Sequence, residues 1–242
     1  MPNFTTRTVA HAASVFVIFV SCVVLIGWIF DIALLKSMMP GLVTMKVNTA
    51  IAFLLSGVSV WLLSTDIRAI TGINSSSSSS SSLLIAQGGA IAVTSIGLVT
   101  LCQYLFGFNL GIDELLFGGS LEAVETSHLG RMGANTAVNF LLLGVALWLL
   151  GQKTHRSYWL AQGLSLIVAF ISLQALVGYA YGVKNFYQFG VYTTSMALHT
   201  ALAFEVLCVG LLYTRPEQGF MQTITSELNG GATARQIIPS AI

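Results

Sequence analysis

Charge is what this sequence has least of. Only 8% of its 242 residues are Asp, Glu, Lys or Arg, against about 25% in a soluble domain. So few charges cannot coat a water-facing surface, which excludes an ordinary soluble globule. A basic field is missing too: the net charge is +1, and nothing draws the chain to nucleic acid. Cys22, Cys102 and Cys208 each stand alone inside an apolar run. That excludes a CxxC pair, a zinc-type spacing and a disulfide framework, and leaves three small packing residues. GxSxG, P-loop, dinucleotide and HExxH patterns are all absent, so no catalytic set is legible, no enzyme activity is expected and no cofactor is required.

What is present is apolar. Hydrophobic residues make up 55% of the chain, and the mean hydropathy is +0.82. Six stretches, near 11–30, 45–64, 84–107, 133–150, 159–182 and 196–213, have the roughly 17 to 25 residues needed to cross the hydrocarbon core as helices. The expected fold is all-α integral membrane, with six transmembrane helices in a domain spanning 1–213. The lipid bilayer is the first partner, and 214–242 is a cytoplasmic juxtamembrane tail. With the N-terminus inside, the cytoplasmic segments carry Arg7, Arg68, Lys153, Arg156, Arg215 and Arg235, and the outer ones carry Lys36, Lys46, Arg131 and Lys184. That bias puts both termini in the cytoplasm. Trp61, Trp148, Tyr158, Trp159 and Tyr213 would then line the inner interface, with Trp28, Tyr104, Tyr179 and Tyr181 at the outer one. The serine-rich run 74–82 reads as a flexible cytoplasmic linker.

One phrase recurs three times: MKVNTAIAFLLSGVSVWLL from 45, MGANTAVNFLLLGVALWLL from 132 and MALHTALAFEVLCVGLL from 196. Aligned on Met45, Met132 and Met196, it places Asn48, Asn135 and His199 at one offset, and Phe53, Phe140 and Phe204 at another. The preceding helices match as well, since His11 to Trp28, Gln87 to Tyr104 and Gln162 to Tyr179 each span 17 residues. The pattern predicts three repeated two-helix hairpins, at about 10–64, 85–150 and 160–213. Gly57, Ser59, Gly88, Gly89, Gly97, Gly144 and Gly163 would let the helices approach closely. The middle copy carries an 11-residue insertion in the outer loop 108–131: Tyr104 to Asn135 spans 31 residues where Trp28 to Asn48 and Tyr179 to His199 span 20. Its IDELLF segment looks amphipathic, and specialised recognition belongs in such a loop.

The candidate functional residues are polar groups in apolar surroundings. Asn48, Asn135 and His199 open the second helix of each hairpin, either to satisfy orphan backbone donors and bond between helices, or to ring a ligand. Glu205 replaces Leu54 and Leu141 of the other copies and lies about 13 Å into its helix. An ionisable residue at that depth should face the bundle interior, with Asn139 and Gln174 at similar depth to bond it. It is either a neutral acid joining helices or a proton-coupled group. Glu122, Glu125 and His128 fall at steps of three, a spacing that a metal site and a solvated loop face share. His11 and His199 lie near opposite membrane faces and cannot together hold a haem, which leaves His199 as a ligand to at most a single pigment or metal.

Four ordered motifs, YLFGFNLGIDELLF, HLGRMGANTAVNFLLLG, YTTSMALHTALAF and RPEQGFMQTITSELNGGATARQIIPSAI, resemble the multi-helix N-terminal membrane sensor region of bacterial histidine kinases and diguanylate cyclases. In that family the region precedes PAS domains and a cytoplasmic output. The resemblance implies a module of the bacterial inner membrane that passes a signal inward to an output not present in this chain. His128, Arg131, Asn135 and His199 match the family's motifs, whereas Leu129 stands where a proline is usual and Glu205 where an apolar residue is usual. Two other readings remain: an accessory subunit of a larger membrane complex, in a homo-oligomer or with pigment-binding partners, and a small transporter or proton-conducting protein built around Glu205.

Overall fold

The computed structural model describes residues 4–39, 41–65, 78–111, 130–188 and 194–225. Over these the chain is all-helical. Its helices are α1 (Phe4–Ile29), α2 (Ala33–Ser37), α3 (Val47–Thr65), α4 (Ser78–Phe106), α5 (Ala134–Gly151), α6 (His155–Tyr181), α7 (Leu198–Leu212) and α8 (Gly219–Thr225), with a 3₁₀ turn at Lys184–Phe186.

Five helices, α1, α3, α4, α5 and α6, are long and apolar enough to cross a membrane. The sixth expected span forms α7, which is apolar but only 15 residues long. At 1.5 Å per residue it covers about 22 Å of a roughly 30 Å hydrocarbon layer. α4 also begins earlier than expected, at Ser78 inside the serine run. Serine is only a modest helix breaker, so a helix nucleated in the apolar stretch extends back through it at little cost.

The long helices close into a ring. α1 packs along α3, α4 along α5 and α6 along α7, while α3 meets α4, α5 meets α6, and α7 returns to α1. Within this ring α3 and α5 are the inner helices: 61% of each spanning window is buried, against 28–39% for α1, α4 and α6. Phe53, Phe140 and Phe204 meet on the axis with ring centroids 4.6–4.8 Å apart and each pair tilted or edge-on, the arrangement aromatic quadrupoles favour. Trp61, Trp148 and Trp159 stay exposed near helix ends, as membrane-interface anchors do.

Small residues set the close contacts. A Cβ on Gly97 would stand 2.6 Å from the Leu141 backbone nitrogen, so the α4–α5 approach depends on its absence. Gly57 and Gly89 are similarly tight against Ile18 and Ser59. Gly88 and Gly163, expected in the same role, instead face open space. Hydroxyls inside the bundle mostly donate to the carbonyl four residues back, as in Ser14 to Ala10, Ser56 to Ala52 and Thr100 to Ile96. That satisfies them without a partner helix.

Candidate functional site

The turns that lead into α3, α5 and α7 are held by one device. Trp28 Nε1–H donates to the Met45 carbonyl (2.9 Å), Tyr104 Oη–H to the Met132 carbonyl (2.8 Å) and Tyr179 Oη–H to the Met196 carbonyl (2.6 Å). Each aromatic closes one helix and pins the residue that precedes the next. The helix-opening polar residues sit just beyond. Asn48 Oδ1 accepts the Thr49 amide at 2.8 Å, and Asn135 Oδ1 accepts the Thr136 amide at 2.9 Å. Both therefore take up a first-turn donor that the helix itself leaves unpaired. Asn135 is fully buried and its Nδ2 also donates to the Tyr187 carbonyl at 2.9 Å, which ties α5 to the 3₁₀ turn after α6.

His199 breaks the pattern. It is 5% exposed, and neither ring nitrogen has a hydrogen-bond partner. The Lys36 backbone lies beside the ring as its hydrogen-bonding neighbour, outside ideal geometry. On its open side the histidine lines a crevice of about 240 Å³ between α1, α2 and α7, with Phe16, Phe19, Val23, Leu35 and Leu202 among the walls.

The expected cluster around Glu205 does not form. Asn139 is fully buried and donates to Ser172 Oγ at 2.9 Å, bridging α5 and α6 and leaving its Oδ1 unpartnered. Gln174 is half-buried on α6. Glu205 is also half-buried, between the exposed Leu202 and Val209, with Oε1 buried and unpartnered. Helical geometry explains the difference from an interior position. Leu202, Glu205 and Val209 lie at offsets of three and seven on one stripe, and Phe204 already occupies the inward one.

At the far end, His11 stacks on Trp61 at 4.5 Å between ring centroids. It belongs to the opposite end of α1 from the turn that flanks His199. Glu122, Glu125 and His128, with the IDELLF segment, lie outside the described residues, as does the tail from 226 onward.

Two buried constellations were missed by sequence reasoning. Arg131 is 2% exposed, and its Nη2 donates to Gln103 Oε1 (2.9 Å) and Asn109 Oδ1 (3.1 Å) with the guanidinium over the Tyr104 ring. Gln103, a polar residue within an apolar helix, was the available signal. The other is a clamp. Fully buried Gln162 donates from Nε2 to the carbonyls of Arg215 (3.3 Å) and Gln218 (3.0 Å), and its Oε1 accepts the Met221 amide at 3.1 Å. Arg215 is itself buried and donates to the Leu63 carbonyl at 3.0 Å. Gly219, at φ +62, takes a left-handed turn against the same glutamine, where a side chain would be strained. The first stretch of the expected tail is therefore folded back on the bundle, with α8 against α6.

The chain is an all-helical protein with the apolar helices of a multi-pass membrane protein. Compared with known families, characterised proteins and solved structures, it matches none.

Proposed function

We propose that the chain is a six-helix module of the bacterial inner membrane, built from three two-helix hairpins at about 10–64, 85–150 and 160–213. In this reading both termini are cytoplasmic, and the module is the sensory or anchoring part of a signalling protein whose cytoplasmic output lies outside this chain. The six-span reading treats α7 as the last span.

Equivalent contacts at equivalent positions support the repeat. Besides the three aromatic-to-methionine bonds, the Met45 amide donates to the Lys36 carbonyl and the Met196 amide to the Tyr187 carbonyl, at 2.9 and 2.8 Å. Ile32 donates to Gly27, and Val183 to Gly178, both at 2.8 Å. Lys36 lies over the Trp28 ring, and Tyr187 stacks on Tyr179. The first and third turns thus use the same backbone bonds with different side chains.

The observation that carries the signalling role is the Gln162 clamp. A module that transmits must couple its membrane part to the segment that leaves it, and three hydrogen bonds from one buried glutamine do so here. Any displacement of α6 moves residues 215–221 with it. The switching element would be the packing of α6 and α7 beneath that clamp.

The test is the intact mass of the native protein from its own membranes. A mass well above 25.8 kDa, with a kinase or cyclase domain attached, is the expected result. A mass near 25.8 kDa with stoichiometric membrane partners would replace this reading with that of an accessory subunit.

A further inference from the structure

We propose that the groove along α1 beside Trp61 binds one anionic phospholipid, with its phosphate at the Arg7 guanidinium and an acyl chain laid along α1 toward Phe19.

The shape comes from one face of α1. Thr8, His11, Val15, Phe16 and Phe19 line the groove, with Trp61 of α3 as its side wall. Their offsets of three, seven, eight and eleven keep them on a single stripe. From Thr8 to Phe19 the helix rises about 16 Å, half of a roughly 30 Å hydrocarbon core. The groove is therefore one leaflet deep. Its volume is about 620 Å³, and Val15, Phe16 and Phe19 are exposed along it. A chain from the bilayer can lie against them without any helix moving.

The polar residues mark which end takes the head. Thr8 and His11 both belong to the Trp61 end, and beyond them the wall is apolar. Trp61 is exposed close to the end of α3, as an indole at headgroup depth would be. His11 supplies a floor rather than a hydrogen bond, since its ring stacks on Trp61 and its Nε2 is buried.

The charge comes from Arg7. It stands one turn before His11 on the same face of α1, near enough for its charge to reach the imidazole. Its Nε is buried, whereas the terminal guanidinium nitrogens are left open and have no partner among the described residues. The one ion pair among those residues joins Lys36 to Asp31, so neither Glu217 nor any other described carboxylate neutralises Arg7. Arg215, whose guanidinium holds the Leu63 carbonyl just past Trp61, adds a second positive charge at this end. An open guanidinium beside hydrocarbon suits a phosphate, which it can meet with two parallel hydrogen bonds. A zwitterionic lipid brings its own ammonium next to the phosphate, and that ammonium competes with Arg7. A lipid such as phosphatidylglycerol does not, which sets the preference for an anionic head.

The site does not depend on the sensory reading. A chain that retains the lipid but carries no output would leave this inference standing while that reading falls.

The test is native mass spectrometry of the full chain with equal amounts of phosphatidylglycerol and phosphatidylcholine. One phosphatidylglycerol should be retained in preference, and a photoactivatable form should label Val15, Phe16 or Phe19. Arg7→Gln should cut the preference about fivefold, the worth of one basic residue at an anionic surface. Arg156→Gln, which removes an exposed charge elsewhere, should leave it unchanged. Ala12→Phe, at an exposed position in the groove, should abolish the labelling without unfolding the chain. Equal retention of the two lipids, an unchanged preference in Arg7→Gln, or an equal loss in Arg156→Gln would overturn the proposal. A dimer that retains no lipid would overturn it too, by assigning the groove to a second copy of the chain.

Discussion

The indole of Trp28 donates to the carbonyl of Met45 at 2.9 Å, and this bond joins the end of one helix to the start of the next across a 17-residue separation. Tyr179 and Met196 repeat it with a phenol, also 17 residues apart. Met45 and Met196 are buried in the protein, where a backbone carbonyl has no water to turn to, so the aromatic holds the turn and satisfies the carbonyl at once.

Removing that donor should loosen the hairpin. Trp28→Phe and Tyr179→Phe are each expected to lower stability by about 1–3 kcal/mol, measured by unfolding in mild detergent. The two effects should add, because the sites share no partner. A neutral result in both would show that these bonds do not hold the turns.

The aromatic axis is the next test. Phe140 contacts both Phe53 and Phe204 and is fully buried. Phe140→Ala should cost about 3–5 kcal/mol through the cavity it leaves, and Phe140→Leu distinctly less. Equal costs for the two would argue against a close-packed axis.

Glycines that look alike in sequence should behave differently. Gly97→Ala forces a Cβ within 2.6 Å of the Leu141 backbone and should cost more than 1 kcal/mol, since backbone cannot step aside as a side chain can. Gly88→Ala meets nothing within 4 Å and should be neutral or stabilising by up to about 1 kcal/mol through helix propensity. Melting of the two variants side by side checks this, and the reverse order would contradict the α4–α5 contact.

Lys46 should give the fold an alkaline pH dependence. Burial, reinforced by nearby Lys36, pulls its ammonium from 10.5 down to about 8. Between those values the unfolded chain binds more protons than the folded one, so stability rises with pH. The penalty is fully present below pH 8 and is relieved as pH climbs toward 10.5. Tm measured from pH 7.5 to 10 should rise, and Lys46→Met should flatten that slope. An identical slope in the variant would assign it to another group.

Glu205→Gln should fold and be at least as stable as the parent, because the replacement carries no charge into the bilayer and Oε1 has no partner to lose. Unfolding measurements decide this. A clear loss of stability would mean that the carboxylate itself is bonded in the folded bundle.

What could be read from the sequence is what local chemistry controls. Scarce charge and long apolar runs require helices in a bilayer, because every backbone group there must be satisfied within its own segment. The recurring Met, Asn and Phe offsets placed Phe53, Phe140 and Phe204 at equivalent positions, and the structure brings those rings together. Asn48 and Asn135 likewise cap their first turns, as their Asn-Thr context suggested.

The fate of individual side chains was decided only by tertiary structure. Asn139 bonds Ser172 rather than Glu205, because the rotation of α7 turns Phe204 inward and its neighbour to the rim. Gln162 aligns with Gln87 and His11 in sequence, yet among the described residues it is the one that grips the chain after α7. There the segment after α7 folds back within reach. His199 fills the asparagine position of its repeat but meets α2 and an apolar crevice. A repeat specifies equivalent backbone sites, whereas the partner each side chain finds depends on which helix packs beside it.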